Sequence, residues 1–453
     1  MQSFSALKSQ LFRLAGRTPP VSPPVPGIYH FQRQEEGEKT RLHLRVEKDG
    51  KGFLLVNASR IYHLNPSAVV MAYFMLNKTA PEQAVSSLQF TFDVSREQAR
   101  TDYTQFVEQF PALIHPDGAC PIHDMELETV APFSARPSAP YRMDLAITYR
   151  CNNNCAHCYN ARPRLFPEMT TDQWKQILDR LWDIAIPHII FTGGEPTMRS
   201  DLPELIAYAE HKGQITGLNT NGRRLKNPDY LQTLVDAGLD HVQITLESHN
   251  PAIHDEMVRG RGAWADTVAG IKNALATRLY VMTNTTLLTN NSPFLAETLE
   301  FLADLGVPTF GLNALIYSGK GETVGTGLME SRLPALLELA RNHVAATGQR
   351  MIWYTPTQYC HFDPMQLELG VKGCTAALYN MCIEPDGSVL PCQSYYQPLG
   401  NMLTSSWESI WNHELAVSLR ERENLPAGCS GCALLAECGG GCPLERKTAH
   451  RNA

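Results

Sequence analysis

The chain has no run of eighteen apolar residues, so no segment reads as a membrane-spanning helix. It has no basic excess: 39 Lys and Arg face 46 Asp and Glu, a formal charge of −7. Nucleic-acid binders concentrate positive charge, so no nucleic acid and no membrane is expected as a partner. The opening residues lack the continuous apolar stretch of a secretory signal. Cysteine is scarce through most of the length. Cys120 stands alone in the first 150 residues, and none lies between Cys158 and Cys360. A disulfide framework belongs to small secreted domains. Disulfides are therefore excluded as the main staple, and a reducing, cytoplasmic setting is expected.

What is present is concentrated. Of twelve cysteines, three fall at Cys151, Cys155 and Cys158, and eight between Cys360 and Cys442. Thiols grouped in this way, in a reducing compartment, read as metal ligands. The 453 residues allow two to four domains, and 43% hydrophobic content allows a sizeable core.

Five prolines between Pro19 and Pro26 mark residues 1–27 as an extended or disordered lead. Residues 28–115 show short β-type runs, with a turn at Lys48-Asp49-Gly50-Lys51, and then three helical patterns. Asn65-Pro66 opens the first helix, Thr79 caps the second with Glu82 as a capping box, and Ser95 opens the third. This predicts a small α+β unit of winged-helix type. Residues 116–140 read as a linker. From 141 to 345 strands and helices alternate, beginning with Met143-Asp-Leu-Ala-Ile-Thr-Tyr and His188-Ile-Ile-Phe-Thr. Six strands with intervening helices predict an α/β fold with a parallel sheet, open or partly closed. Chemistry in such sheets sits at the carboxyl ends of the strands. Residues 346–453 show little periodicity, and a metal-stapled domain explains them better than an apolar core.

Cys151-Asn-Asn-Asn-Cys155-Ala-His157-Cys158 follows the first strand of the α/β region. A closed zinc site needs four ligands, and His157 beside Cys158 is poorly placed as the fourth. Three thiolates on one loop can hold a cubane with one iron open. A zinc site completed from elsewhere is the competing reading. The stretch resembles the radical S-adenosylmethionine (SAM) superfamily and its hallmark C-x3-C-x-Φ-C, with His157 at the usually aromatic position. Gly193-Gly194-Glu195-Pro196 ends the next strand in register with the cysteines and strengthens the resemblance. It implies a partial (β/α)6 TIM-like barrel, a [4Fe–4S] cluster on Cys151, Cys155 and Cys158, and a methionyl amine held at residues 193–196. Looser matches are Asn221, Thr245 and Glu247 near the ribose, and Arg259 pairing with the SAM carboxylate.

Cys374-x12-Gly387-x4-Cys392 and Cys429-x2-Cys432-x5-Cys438-x3-Cys442 resemble the SPASM extension of radical SAM enzymes. One or two zinc sites are again the alternative. The resemblance implies two auxiliary iron–sulfur clusters. Cys374, Cys392 and Cys442 share the first, with Cys360 chosen as its upstream ligand. Cys429, Cys432 and Cys438 hold the second, whose usual downstream cysteine is missing. Glu445, His450 and Cys382 are the candidate replacements, and Cys120 reads as a plain buried or linker residue.

Asn57-Ala-Ser-Arg-Ile-Tyr62-His-Leu64-Asn65-Pro66-Ser67-Ala68 resembles the PqqD-like peptide-recognition domain. Such domains bind a leader peptide as an added strand. The order of pieces implies a maturase of ribosomally made peptides. A 5′-deoxyadenosyl radical from SAM would abstract hydrogen from a precursor peptide or protein, with electrons from a reductase or a flavodoxin- or ferredoxin-type donor. Two other readings stand: a tetrapyrrole-modifying or sulfatase-activating radical SAM enzyme, and a non-catalytic zinc-binding interaction protein. No residue is singled out as an acid, base or nucleophile.

Overall fold

The structure, a computed structural model, describes residues 20–35, 38–57, 60–114, 133–423 and 425–449. Cys120, His450 and most of the expected lead and linker lie outside them. The chain forms two compact units, Met1–Val130 and Ala131–Ala453. Among the described residues no helix is long and apolar enough to cross a membrane.

The first unit is an antiparallel meander, β1 (Gly27–Glu35), β2 (Glu38–Val46), β3 (Gly52–Val56) and β4 (Arg60–Leu64), paired in that order. Three helices follow, α1 (Pro66–Leu76), α2 (Pro81–Phe92) and α3 (Arg96–Ile114). Leu42, Leu44, Leu54 and Val56 of the sheet and Phe74, Leu88, Phe106 and Phe110 of the helices share one core. The α+β order is as expected, with β4 as an additional strand. Asn65 caps α1 by accepting from the Ala68 amide at 2.8 Å. The cap expected at Thr79 is absent: Ala80 occupies the cap position, with no side-chain bond. Pro81 at the first turn lacks an amide that would need capping and supplies a helical φ instead.

The second unit holds a ten-stranded sheet. In chain order its leading elements are β5 (Arg142–Thr148), α4 (Thr171–Asp183), β6 (His188–Gly193), α5 (Leu202–Lys212), β7 (Ile215–Thr220) and α6 (Pro228–Asp236). Then come β8 (His241–Thr245), α7 (Pro251–Val258), α8 (Ala263–Leu275), β9 (Tyr280–Thr286), α9 (Leu295–Asp304), β10 (Thr309–Asn313), α10 (Leu333–Thr347) and β11 (Arg350–Trp353). β5 to β11 pair side by side in parallel. The six expected strands and the five expected helices between them are present, and α7, α10 and β11 were not anticipated. Along β5 the faces alternate. Met143, Leu145 and Ile147 enter the main apolar core. Asp144, Ala146 and Thr148 take the other face.

β12 (Asn380–Ile383) joins the sheet parallel to β5, and β13 (Ser388–Leu390) and β14 (Gly400–Asn401) extend it antiparallel. Four short α-helices follow among the described residues: α11 (Trp407–Trp411), α12 (Glu414–Arg420), α13 (Leu435–Cys438) and α14 (Pro443–Ala449). Here the expectation of a metal-stapled region without an apolar core is corrected. Met381, Ile383, Val389, Met402 and Ile410 belong to the same buried core as β5 to β11. Strands of two to four residues are too short to show a period.

Candidate functional site

The three-cysteine loop leaves β5 at its carboxyl end and is held from several sides by backbone. The Gly194 amide donates to the Thr148 carbonyl and the Glu195 amide to the Arg150 carbonyl, each at 2.8 Å. This approach excludes side chains. A Cβ on Gly193, whose φ is +136°, would fall 2.1 Å from the Thr148 oxygen, and one on Gly194 2.5 Å from the Arg150 oxygen. From the end of α7 the carbonyls of Val258 and Met257 accept from the Asn154 amide at 3.0 Å and the Ala156 amide at 2.9 Å. Arg223 donates to the Asn152 carbonyl at 2.8 Å and to Asn153 Oδ1 at 2.9 Å, and pairs with Asp266 of α8 at 3.2 Å.

Cys151 is exposed, and Cys155 and Cys158 are part-buried. Although Cys151 reaches the surface, the protein packed around its sulfur pushes the thiol up to about 11, and burial raises Cys155 and Cys158 too. The neighbouring thiols push Cys151 and Cys155 further in the same direction. Three thiolates in such surroundings need positive charge to offset them, which bound iron supplies. Among the described residues no three His, Cys, Asp or Glu side chains converge on one metal ion. One zinc demands donors around a single centre, at about 2.0–2.3 Å. A cubane lets each thiolate bind its own iron, so the loop fits a cluster better than a lone ion.

Glu195 is fully buried. It accepts from the Thr197 amide (3.1 Å), Thr197 Oγ1 (2.6 Å), Thr220 Oγ1 (2.7 Å) and the Asn221 amide (2.8 Å). Both oxygens are engaged inside the protein, locking the end of β6 to the end of β7. Asn221 in turn donates to Asn152 Oδ1 at 2.6 Å, which brings it to the cysteine loop. His157 Nε2 meets Glu247 Oε1 at 2.9 Å, while Glu247 Oε2 accepts from the Thr286 amide at 2.9 Å. The residue at the aromatic position is thus tied to β9 through a buried acid. Thr245, part-buried, ends β8 opposite Asn284 of β9. Arg259 ends α7 in a left-handed turn, φ +48°; it is exposed and makes no side-chain hydrogen bond among the described residues. The structure therefore gathers Cys151, Cys155, Cys158, His157, residues 193–196, Asn221 and Glu247 in one contact network.

A second cluster was missed from sequence. Glu384, just after β12 and buried, accepts from Tyr149 Oη (3.0 Å), Arg162 (2.9 Å) and Arg164 Nε (3.2 Å). Arg164 lies 3.2 Å from the Tyr149 ring centre and Arg162 3.9 Å from that of Tyr396. The hydroxyl of Tyr159 donates to Gln393 Oε1 at 3.0 Å, next to Cys392. These contacts bind the segment after the cysteine loop to the β12–β13 hairpin. Those to Glu384, Gln393 and Tyr396 join residues more than 200 positions apart, so no local pattern reveals them.

The later cysteines separate by environment. Burial pushes Cys392 and Cys442 up to about 12, and the neighbouring Cys374 raises both further. Cys374 is raised by burial as well. These three thiols are mutual neighbours. Cys360 and Cys432 are exposed, Cys429 is part-buried and Cys438 is buried. Cys382 is fully buried on β12 with Ala146 and Leu390, and burial, with Asp144 and Cys392 nearby, raises its thiol. Glu445 stands beside Cys442, whose sulfur also accepts from the Leu444 and Glu445 amides, and burial pushes its carboxyl up to about 7.

Two family models match the chain: the radical SAM superfamily over residues 145–302, and the SPASM iron–sulfur cluster-binding domain over residues 374–433. The mycofactocin maturase MftC of Mycobacterium ulcerans is 30% identical over 67% of this chain and 83% of its own length. An AdoMet-dependent heme synthase of Methanosarcina barkeri is 27% identical over 68% of this chain and 92% of its own. Among solved structures, SuiB of Streptococcus suis bound to the precursor peptide SuiA superposes with a TM-score of 0.67 at 15% identity. That match covers 92% of this chain and 96% of SuiB, a likeness of fold. With a parallel α/β sheet, a three-cysteine loop at its carboxyl edge and two matching family models, the chain belongs to the radical SAM superfamily and carries a SPASM domain.

Proposed function

We propose that the chain is a peptide-modifying maturase that acts on a ribosomally made precursor, through a crosslink or an oxidation. As a radical SAM and SPASM protein it uses [4Fe–4S] clusters and SAM. When bound and reduced, these supply the electron that cleaves SAM and yields a 5′-deoxyadenosyl radical able to take hydrogen from an unactivated carbon. The chain's own part is to bind, orient and seal. Cys151, Cys155 and Cys158 hold the first cluster on a loop fixed by Gly193, Gly194 and Arg223. Asn221 and Thr245 line the strand ends where SAM would lie. Arg259 offers an uncommitted guanidinium for its carboxylate. Glu195 and Glu247 act on that site by fixing β6, β7, β9 and the loop. A ferredoxin- or flavodoxin-type protein, or another reductase, is the proposed donor of electrons.

The observation that carries the peptide reading is the first unit, a four-stranded antiparallel meander ending in β1 and β4 and backed by three helices. An outer strand of such a sheet can accept an extended peptide by main-chain pairing. The likeness to SuiB over 92% of the chain and the maturase relatives support it. The heme-synthase relatives favour a second reading, a tetrapyrrole substrate. Deleting residues 1–115 separates the two. A leader-guided maturase loses peptide affinity and keeps SAM cleavage, whereas a tetrapyrrole enzyme keeps its substrate affinity. Peptide modification retained by the truncated chain would overturn the leader-binding role of the first unit, and a full-length holoprotein that cleaves SAM but modifies no precursor peptide would overturn the proposal.

A further inference from the structure

Cys429, Cys432 and Cys438 supply three thiolates toward the second auxiliary cluster, and Cys360 had been expected to serve the first. The structure orders these residues differently. The Tyr359 amide donates to Cys438 Sγ at 3.4 Å, and the Cys438 thiol donates to the Thr357 carbonyl at 3.6 Å. A Cβ on Gly441 would fall 2.6 Å from the side chain of Gln358. The segment 357–360 therefore lies directly on the Cys438–Gly441 turn. From the Tyr359 contact, chain geometry alone puts the Cys360 Cα within about 9 Å of Cys438 Sγ. Cys360 shares its exposed setting with Cys432. Of the replacements considered from sequence, His450 lies outside the described residues. Cys382 is sealed in the β12 core, and Glu445 stands beside Cys442, a neighbour of Cys374.

We propose that Cys360, preceding the motif in sequence, completes the outer auxiliary cluster with Cys429, Cys432 and Cys438, leaving the inner cluster on Cys374, Cys392 and Cys442. The cluster is thereby closed from the amino-terminal side, and one thiol links the segment after β11 to the Cys438–Gly441 turn.

The inference rests on the presence of auxiliary clusters, which iron analysis of the wild-type holoprotein checks separately. Wild-type protein with only the one cluster's iron would remove the auxiliary clusters themselves. With them present, the full chain is reconstituted anaerobically as wild type, Cys360→Ser, Cys429→Ser, Cys360→Ser/Cys429→Ser and Cys374→Ser. Iron content and the electron paramagnetic resonance of the reduced protein are then measured. Cys360→Ser and Cys429→Ser are expected to alter the same signal, and the double variant to lose no more iron than Cys429→Ser alone. The signal altered by Cys374→Ser should persist in both. Cys360→His, which keeps a donor at the position, should retain iron and shift only the outer signal. Three results overturn the assignment: Cys360→Ser acting on the Cys374→Ser signal, full iron with both signals unchanged, or loss of both auxiliary signals in Cys360→Ser and Cys360→His alike.

Discussion

Glu195 at the site and His241 at the opposite, amino end of β8 show how single polar groups packed in the protein fix the sheet. Four donors converge on the Glu195 carboxylate. Glu195→Gln turns an amide group toward other donors and leaves one or more of them unpaired. We expect a loss of about 1–3 kcal/mol in stability, seen as a lower thermal midpoint, together with weaker SAM binding. Arg259 is the contrasting case. Because it is exposed and uncommitted, Arg259→Ala should leave the thermal midpoint unchanged while weakening SAM binding about tenfold, the effect of losing one charged contact. Anaerobic equilibrium dialysis measures it. His241, on β8, meets His188 of β6 at 2.9 Å, and burial lowers its pKa to about 4. A histidine held neutral in the fold protonates first in the unfolded chain. Its contribution is therefore complete above pH 6.5 and declines as pH falls toward 4. Between pH 7.5 and 6.0 the loss is about 0.8 kcal/mol. His241→Gln should flatten that slope in thermal unfolding of the holoprotein.

At the scale of elements, the site is a loop clamped between a strand end and a hairpin. Gly194→Ala has no room, since its Cβ would meet the Arg150 and Tyr149 oxygens at 2.5 and 2.6 Å. It should displace the cysteine loop, so that the protein loses roughly one cluster's iron while the auxiliary signals remain. Glu384→Ala would leave Arg162 and Arg164 beside each other with no acid, at a cost of about 3 kcal/mol or more, and should lower the thermal midpoint without touching any cysteine. The two sites differ in legibility. Cys151, Cys155, Cys158 and Gly193-Gly194-Glu195-Pro196 sit at strand ends whose apolar runs were readable, and β6 begins at His188 as expected. The Glu384 cluster was unreadable because its members meet only through tertiary packing. β4, α7, α10 and β11 escaped for a related reason. β4 and β11 have only four or five residues, and α7 runs up to Arg259, which drew attention as a SAM contact instead.

Across the whole molecule, sequence patterning conveyed the order of the pieces more faithfully than their cohesion. The last hundred residues were expected to rely on metal, yet their apolar side chains join the core under β5 to β11. That core places the hairpin against the cysteine loop, so loss of auxiliary iron alone should not unfold the second unit. Circular dichroism before and after chelation tests this, with helical signal retained. The twelve cysteines could be grouped by spacing, but depth in the fold was needed to divide the auxiliary set into inner and outer groups. The central claim is radical SAM chemistry, and its most direct test is anaerobic single turnover of reduced holoprotein with SAM. The account predicts 5′-deoxyadenosine and methionine in equal amounts from wild type and neither from Cys155→Ala. No 5′-deoxyadenosine from iron-replete wild type, or equal amounts from Cys155→Ala, would contradict it.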